Sequence, residues 1–217
     1  MPKTILKIHY DILDPERQEV WLKLKEFKGQ GILGGGTALA LQLRHRLSFD
    51  FDIFFKKPIA KKLLSRVNKI FGASNIHPLV NNEDELTVLY KNKIKITFLY
   101  FPFKKLSSTI KTNSIDLFNL KDLAAYKAYT IGRRGTYRDY LDIYILLIQK
   151  FNLEQIIKIA RQIFKSNFNE KLFLEQLVYF DDLKDFKIEF IDPQDKKHMP
   201  KIVKEYFTQQ IKKYLQK

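Results

Sequence analysis

The chain has 217 residues, 45% of them hydrophobic and including 18 Phe and 11 Tyr, so it can bury a core and is not a disordered segment. It has no cysteine, which excludes disulfides, thiolate catalysis and cysteine-based zinc sites. It shows neither a signal peptide nor an apolar run of membrane-spanning length, so we expect a cytoplasmic protein without membrane contact. The formal net charge of +15 favours a polyanionic partner such as RNA or a nucleoside triphosphate, or else reflects a Lys-rich solvated surface.

The first half of the chain alternates helix and strand patterns. Asp14 can cap a helix that begins at Pro15 and runs to about residue 28. The later pattern predicts a strand at 31–33, a helix at 37–45, a strand at 50–55, a helix at 58–71, and a hairpin of 85–90 and 94–101 that turns at 92–93. This order predicts a small mixed sheet with helices packed on it.

From residue 114 onward the pattern is helix after helix. The predicted helices are 120–133, capped by Asn119, then 137–151, 153–164, 170–180 and a last helix that starts near Lys197. The fold class is therefore α+β, with an α+β domain at 1–112 followed by a helical domain at 113–217.

One stretch combines a glycine-rich turn with two carboxylates. Gly34-Gly35-Gly36-Thr37 ends a short apolar run and opens a helix, where the missing Cβ atoms and the unbonded N–H groups allow a phosphate to approach. Residues 49–55 then alternate with period two, which places Asp50 and Asp52 on one face of a strand. Two neighbouring carboxylates on an apolar strand repel each other unless a cation lies between them. The stretch therefore predicts a phosphate cradle beside a metal-binding pair, as nucleotidyl transfer requires.

The combination Gly-Gly-Thr and Asp-x-Asp resembles the DNA-polymerase-β-type nucleotidyltransferase superfamily. The longer run from Thr37 through His45-Arg46-Leu-Ser48 to Asp50 and Asp52 is similar to the AbiEii/AbiGii branch, the nucleotidyltransferase toxins of type IV-like toxin–antitoxin systems. This resemblance implies a polymerase-β-like core and Mg²⁺- or Mn²⁺-dependent transfer of a nucleoside monophosphate from an NTP to an acceptor hydroxyl. It also implies an RNA acceptor, the 3′ end of tRNA, and a cognate antitoxin protein.

The same resemblance assigns a role to each matching residue. Asp50 and Asp52 are the expected metal ligands and catalytic acids. The residues expected to bind the nucleotide in this stretch are Gly35, Gly36, Thr37, Arg46 and Ser48.

A second group of charged residues surrounds Gly135, the predicted turn between two helices. Lys127 lies eight residues before this glycine and Asp142 seven after it, so the two come level in an antiparallel helix hairpin. Arg138 and Asp142 are four residues apart and share a helix face. A salt-bridge cluster that stabilises the hairpin is one interpretation of this pattern.

The pattern of Lys127, Arg134, Arg138-Asp139 and Asp142 also resembles the C-terminal motif of the same toxins. The resemblance implies that Lys127 contacts the triphosphate and that Asp142 orients it or helps to activate the acceptor hydroxyl. Arg134 and Arg138 are then expected to line the nucleotide site.

One position departs from the superfamily pattern. A third acid usually lies on a later strand, but the residue expected there is Thr97, or else Lys95, and neither accepts a proton at neutral pH. Either Asp142 or a metal-bound water takes the proton, or the chain is an inactive nucleotide- or RNA-binding module. A small-molecule nucleotidyltransferase, such as an antibiotic-modifying enzyme, is also compatible with the pattern. The seven lysines of residues 196–217 form either a solvated helix face or a landing surface for RNA.

Overall fold

The computed structural model describes residues 7–131, 133, 136–183, 185–192 and 198–216. The chain divides into two compact units, Met1–Asn119 and Leu120–Lys217. Residues 113–118 belong to the first unit because Leu117 forms bridges with Leu33 and Ile110, which attaches this segment to the edge of the sheet. The domain boundary predicted at 112/113 lies before this attachment.

The described part of the first unit contains one five-stranded sheet in the order β1-β2-β5-β4-β3. Strands β2 and β5 are parallel, and the other neighbouring pairs are antiparallel. This is the mixed sheet that the sequence predicts. Its elements are α1 (Pro15–Lys23), β1 (Gly31–Leu33), α2 (Gly35–Leu43), β2 (Phe51–Phe55), α3 (Leu63–Phe71), β3 (Ile76–Asn81), β4 (Glu85–Tyr90) and β5 (Ile94–Tyr100).

Several helix boundaries differ from the predicted ones for local reasons. The carboxylate of Asp14 accepts a hydrogen bond from the N–H of Arg17 and caps α1 as expected, but residues 24–27 continue as a 3-10 helix. Helix α2 ends at Leu43 because Arg44 takes a left-handed conformation with φ 51°. Helix α3 begins at Leu63, several residues after the predicted start at residue 58.

The hairpin of β4 and β5 is confirmed, with its turn one residue earlier than predicted. Lys91 and Asn92 both have positive φ, 50° and 54°, as the central residues of a type I′ turn must. Strand β3 was not predicted. Pro78 coincides with a register shift, and most of the strand is exposed, so the apolar alternation that marks a buried strand is absent.

The second unit is helical, as predicted. The described helices are α4 (Leu120–Thr130), α5 (Tyr137–Gln149), α6 (Leu153–Phe164), α7 (Glu170–Val178) and α8 (Pro200–Leu215). Helix α6 begins with a reciprocal capping box between Asn152 and Gln155. Helix α5 is buried over most of its length and forms the centre of the unit. The predicted start of the last helix, Lys197, lies outside the described residues.

Candidate functional site

The glycine turn and the second aspartate are packed directly against each other. The N–H of Gly34 donates to the carbonyl oxygen of Asp52 at 2.9 Å, which ties the start of α2 to strand β2. Gly35 has φ +63°, and a Cβ at this position would collide with the carboxylate of Asp52. A Cβ at Gly36 would collide with the guanidinium of Arg46. Glycine is therefore favoured at Gly35 by both the backbone conformation and the close approach, whereas a side chain at Gly36 would require Arg46 to shift.

The N-terminus of α2 has the geometry of an anion site. The first N–H groups of an α-helix have no acceptor within the helix, and Gly34 has no side chain that could cap them. The partial positive charge of the helix terminus lies at the same end. The main-chain N–H groups of Gly35, Gly36 and Thr37 lie in this first turn and would be the donors for a bound phosphate.

The side chain of Thr37 has a structural role. Its hydroxyl is buried, donates to the carbonyl oxygen of Asp50, and lies 2.9 Å from the hydroxyl of Ser48. These contacts attach α2 to the segment that leads into β2. A contact from Thr37 to a phosphate would therefore come from its main-chain N–H.

The alternation predicted for β2 is present. Phe51 and Ile53 are buried, whereas Asp50 and Asp52 are partly exposed. Two carboxylates at alternate positions of one strand are hard oxygen donors. They fit Mg²⁺, which is usually held by one or two carboxylates together with substrate phosphates and water. Among the described residues no group of three or more His, Cys, Asp or Glu side chains could hold a metal. A magnesium ion bound here would neutralise negative charge on the transferred phosphoryl group.

Strand β5 supplies the neighbours of the two acids. Asp52 is in parallel register with Thr97, and the ammonium of Lys95 lies 3.4 Å from a carboxylate oxygen of Asp50. The hydroxyl of Thr97 lies 3.1 Å from that of Thr87 on β4, which in turn donates to Glu85 at 2.5 Å. A row of polar side chains thus crosses three strands, with a threonine in place of an acid beside Asp52. The ion pair of Lys95 and the hydroxyl contacts of Thr97 were not predicted.

The second unit holds a buried charge cluster. The ammonium of Lys127 on α4 lies 2.6 Å from a carboxylate oxygen of Asp139 and 2.6 Å from one of Asp142, both on α5. The three side chains are 6%, 1% and 0% exposed. Lys127 and Asp142 therefore meet across the helix hairpin, as the spacing around Gly135 predicts. The ammonium of Lys127 thus pairs with two buried carboxylates, so its removal would take a close positive partner from each of them.

Asp139 is the member of this cluster that sequence reasoning did not assign. Its second carboxylate oxygen accepts a hydrogen bond from the Thr136 hydroxyl at 2.7 Å. The sequence Thr-x-x-Asp at the start of α5 is the type of signal that marks such a pair. Arg138 forms an ion pair with Asp185 at 3.1 Å. Arg134 and Gly135 lie outside the described residues.

Comparisons with known proteins point to nucleotidyl transfer. The sequence model of a family described as "Nucleotidyl transferase AbiEii toxin, Type IV TA system" matches residues 22–217. A protein of Aquifex aeolicus (strain VF5), aq_aa25, is 31% identical over 189 residues, which cover 85% of this chain and 87% of that protein.

Two solved structures share the fold. MenT4, a nucleotidyltransferase toxin of Mycobacterium tuberculosis H37Rv, has a TM-score of 0.58 at 13% identity and covers 89% of this chain and 81% of its own. JHP933 of Helicobacter pylori has a TM-score of 0.51 at 19% identity and covers 97% of this chain and 100% of its own.

Proposed function

Because the chain belongs to the AbiEii nucleotidyltransferase toxin family, we propose that it moves a nucleoside monophosphate from an NTP to an acceptor hydroxyl with release of pyrophosphate, in a Mg²⁺-dependent reaction. The observation that carries this proposal is the contact of Gly35 with the Asp52 carboxylate. It brings N–H donors for a phosphate and oxygen donors for a metal into one place. Phosphoryl-type transfer depends mainly on such positioning and charge neutralisation.

In this proposal the main-chain and side-chain groups of the first unit have different roles. The main-chain N–H groups of Gly35, Gly36 and Thr37 bind phosphate, while Asp50 and Asp52 hold the metal ion. Arg46 is buried beside Gly36 and adds positive charge to the cradle. Ser48 helps to hold the cradle in place because its hydroxyl contacts that of Thr37.

The proposed acceptor is RNA, and more narrowly the 3′ end of tRNA, with a cognate antitoxin as a protein partner. The resemblance of the two sequence motifs to the toxin family is the source of these assignments. The formal net charge of +15 supports a polyanionic acceptor over a small cationic one such as an aminoglycoside.

Lys127 and Asp142 are proposed to act in the same reaction. Asp142 is the carboxylate of this cluster that matches the last aspartate of the toxins' motif, so it is proposed as the proton acceptor that Thr97 cannot provide. The two short contacts of Lys127 support a role in holding Asp142 in place. A direct contact of Lys127 with the triphosphate would require one of these contacts to be exchanged for phosphate oxygens. Arg134 and Arg138 stay proposed nucleotide-binding residues by resemblance.

The test is incubation of the protein with each of the four α-labelled NTPs, Mg²⁺ and total RNA. The expected result is a labelled RNA band that appears with a subset of the NTPs and disappears with EDTA. Labelling of an antibiotic in place of RNA would support the small-molecule enzyme. NTP binding without labelling of any acceptor would support the inactive binding module, for which a threonine beside Asp52 gives a physical reason.

A further inference from the structure

The first unit also carries a basic surface, which we call the basic groove. It is a cavity of about 960 Å³ formed by the end of β2, helix α3 and the segment that follows β5. Arg66 and Lys69 share one side of α3, since they are three residues apart, and Lys62 is the N-cap residue at the start of this helix. The other cations in its lining are Lys56, Lys57, Lys105 and Lys111.

The positive charge of this groove is largely uncompensated. Lys56, Lys57, Lys62 and Lys69 are exposed, and none of them forms an ion pair within the described part of the chain. The acid in the lining, Asp116, lies 2.5 Å from the ammonium of Lys111 and 3.9 Å from that of Lys28. Its charge is therefore balanced by lysines of its own neighbourhood, and the other cations still face solvent.

Arg66 is held in place without losing its charge. Its guanidinium donates to neutral acceptors, the side-chain oxygen of Gln30 at 2.5 Å and the carbonyl oxygen of Glu26, and it lies 4.7 Å from the centre of the Phe27 ring. Such anchoring reduces the entropy that the side chain loses when it binds an anion.

The lining of the groove includes aromatic side chains. Phe54 and Phe55 both contribute to it and are partly exposed, and because they are neighbours on β2 their side chains point to opposite faces of the strand, with Phe54 on the face of Asp52. The Phe54 ring is fixed edge-on against Phe101 and Phe118, at centroid distances of 5.1 and 5.6 Å. A rigid, partly exposed ring among uncompensated cations is a feature with which proteins bind single-stranded nucleic acid, because a base stacks on the ring and phosphates lie along the cations.

The basic surface also extends beyond one cavity. Arg66 and Lys69 border a second hollow of about 560 Å³, whose lining includes Lys23 and Lys25 together with one acid, Glu26. A single triphosphate does not need two adjoining basic hollows, whereas an extended polyanion does. The groove also adjoins the glycine cradle through β2, since a Cβ at Gly34 would collide with the Phe54 ring two residues after Asp52.

We infer that the basic groove binds the phosphodiester backbone of a single-stranded RNA segment, of which one base stacks on Phe54. This inference deepens the proposed function, on which it rests for the identity of the acceptor. The groove binds the RNA upstream of the reacting hydroxyl and keeps the acceptor strand next to Asp52. Its contacts are to phosphates and ring faces, so it is tolerant of sequence.

The experiment measures binding without catalysis. A fluorescein-labelled single-stranded RNA of about 20 nucleotides, long enough for one binding site, is titrated with the protein by fluorescence anisotropy at several salt concentrations without NTP. The test variant carries Lys57→Gln, Lys62→Gln and Lys69→Gln. The control variant carries Lys201→Gln, Lys212→Gln and Lys213→Gln on exposed positions of α8, so both lose three positive charges. Glutamine keeps similar length and helix propensity.

We expect the test variant to lose roughly tenfold or more in RNA affinity at low salt, with a log–log salt slope that is smaller by about 2, while the control changes little. Equal losses in both variants would mean that binding follows net charge or the last helix, and would overturn the inference. An unchanged RNA affinity of the test variant would overturn it as well. If the wild type binds RNA through the groove but labels none with any NTP, the proposed function fails and the groove assignment stands.

Discussion

At the scale of single residues, the two strand carboxylates are the simplest test of the proposed chemistry. Asp52→Ala is expected to lower nucleotide transfer at least about 100-fold, because the metal ion supplies several kcal/mol of charge stabilisation. The melting temperature should stay level or rise, since the change relieves repulsion between two acids. Labelling assays across a Mg²⁺ titration, with a melting curve on the same sample, measure both effects. Near-wild-type transfer by Asp52→Ala would remove it from the metal site.

The glycines of the chain allow a matched comparison. Gly35 and Gly29 both have positive φ, +63° and +79°, but a Cβ at Gly35 meets the Asp52 carboxylate, whereas at Gly29 nothing lies within 4 Å. Gly29→Ala should lose only the conformational term of about 1 kcal/mol. Gly35→Ala should be less stable than Gly29→Ala and should also lose activity. Denaturant unfolding and transfer assays on the two variants separate backbone strain from the displaced carboxylate, and identical behaviour of the two would contradict the close contact.

At the scale of elements, the buried cluster joins α4 and α5. Lys127→Ala removes the ammonium that pairs with two buried carboxylates and should cost about 3–5 kcal/mol of folding stability. Asp142→Asn should cost less, because it keeps the Lys127–Asp139 pair and leaves no additional buried charge without Lys127. If Asp142 is the proton acceptor, Asp142→Asn should nevertheless slow transfer about 100-fold or more.

Asp139→Asn is the control for that experiment, because Asp139 lies at the same 2.6 Å distance from Lys127. We expect Asp139→Asn to transfer nucleotide at a rate within about tenfold of the wild-type rate. This decrease is smaller than the decrease caused by the loss of a general base. Equal losses of transfer in Asp139→Asn and Asp142→Asn, with parallel losses of stability, would make the cluster purely structural.

A second contact between elements links α1 to the β4–β5 turn. Glu19 accepts hydrogen bonds from the Tyr90 hydroxyl at 2.6 Å and the Lys91 ammonium at 2.9 Å. The bond from Tyr90, followed by that from Lys91, lowers the pKa of Glu19 from 4.5 to about 2. A carboxylate whose pKa is lower in the folded than in the unfolded protein stabilises the fold at pH values above its unfolded pKa. This stabilisation is lost as the pH falls toward the folded pKa. The melting-temperature difference between wild type and Glu19→Gln should therefore be present above pH 4.5 and shrink toward pH 2. A difference that is constant with pH would contradict this link.

At the scale of the whole molecule, the positive charge should govern how the protein uses its acceptor. RNA affinity that rests on several lysine–phosphate contacts falls steeply with salt, whereas a compact cradle of main-chain N–H groups is screened less. In the transfer reaction, KM for RNA should rise at least about tenfold between 50 and 200 mM salt, with a much smaller change in KM for the NTP. Equal salt dependence of the two constants would argue against an acceptor bound through phosphates.

None of the described helices combines the length and the apolar composition that crossing a membrane requires. The chain divides into two compact units after Asn119, and the bridges of Leu117 attach residues 113–118 to the edge of the sheet, whereas the change from mixed to helical patterns lies near residue 114. A change of local pattern reports where helices begin. It does not report which sheet a connecting segment joins.

The sequence by itself determined those features that depend on neighbouring residues. The glycine turn, the alternation of residues 49–55 and the spacing of Lys127 and Asp142 about Gly135 are all local, and period and turn chemistry are sufficient to predict them. Strand β3 escaped prediction because an exposed edge strand with a proline lacks the apolar alternation on which strand prediction depends.

The tertiary structure decided what depends on pairing between distant parts of the chain. That Thr97 lies beside Asp52 follows from the parallel register of β2 and β5, and no local pattern encodes which residues of two strands become partners. The same is true of Asp139 as second partner of Lys127, and of the basic groove, whose cations come from three separate segments. Charge and aromatic content are visible in the sequence, but their convergence on one surface arises only when the elements pack.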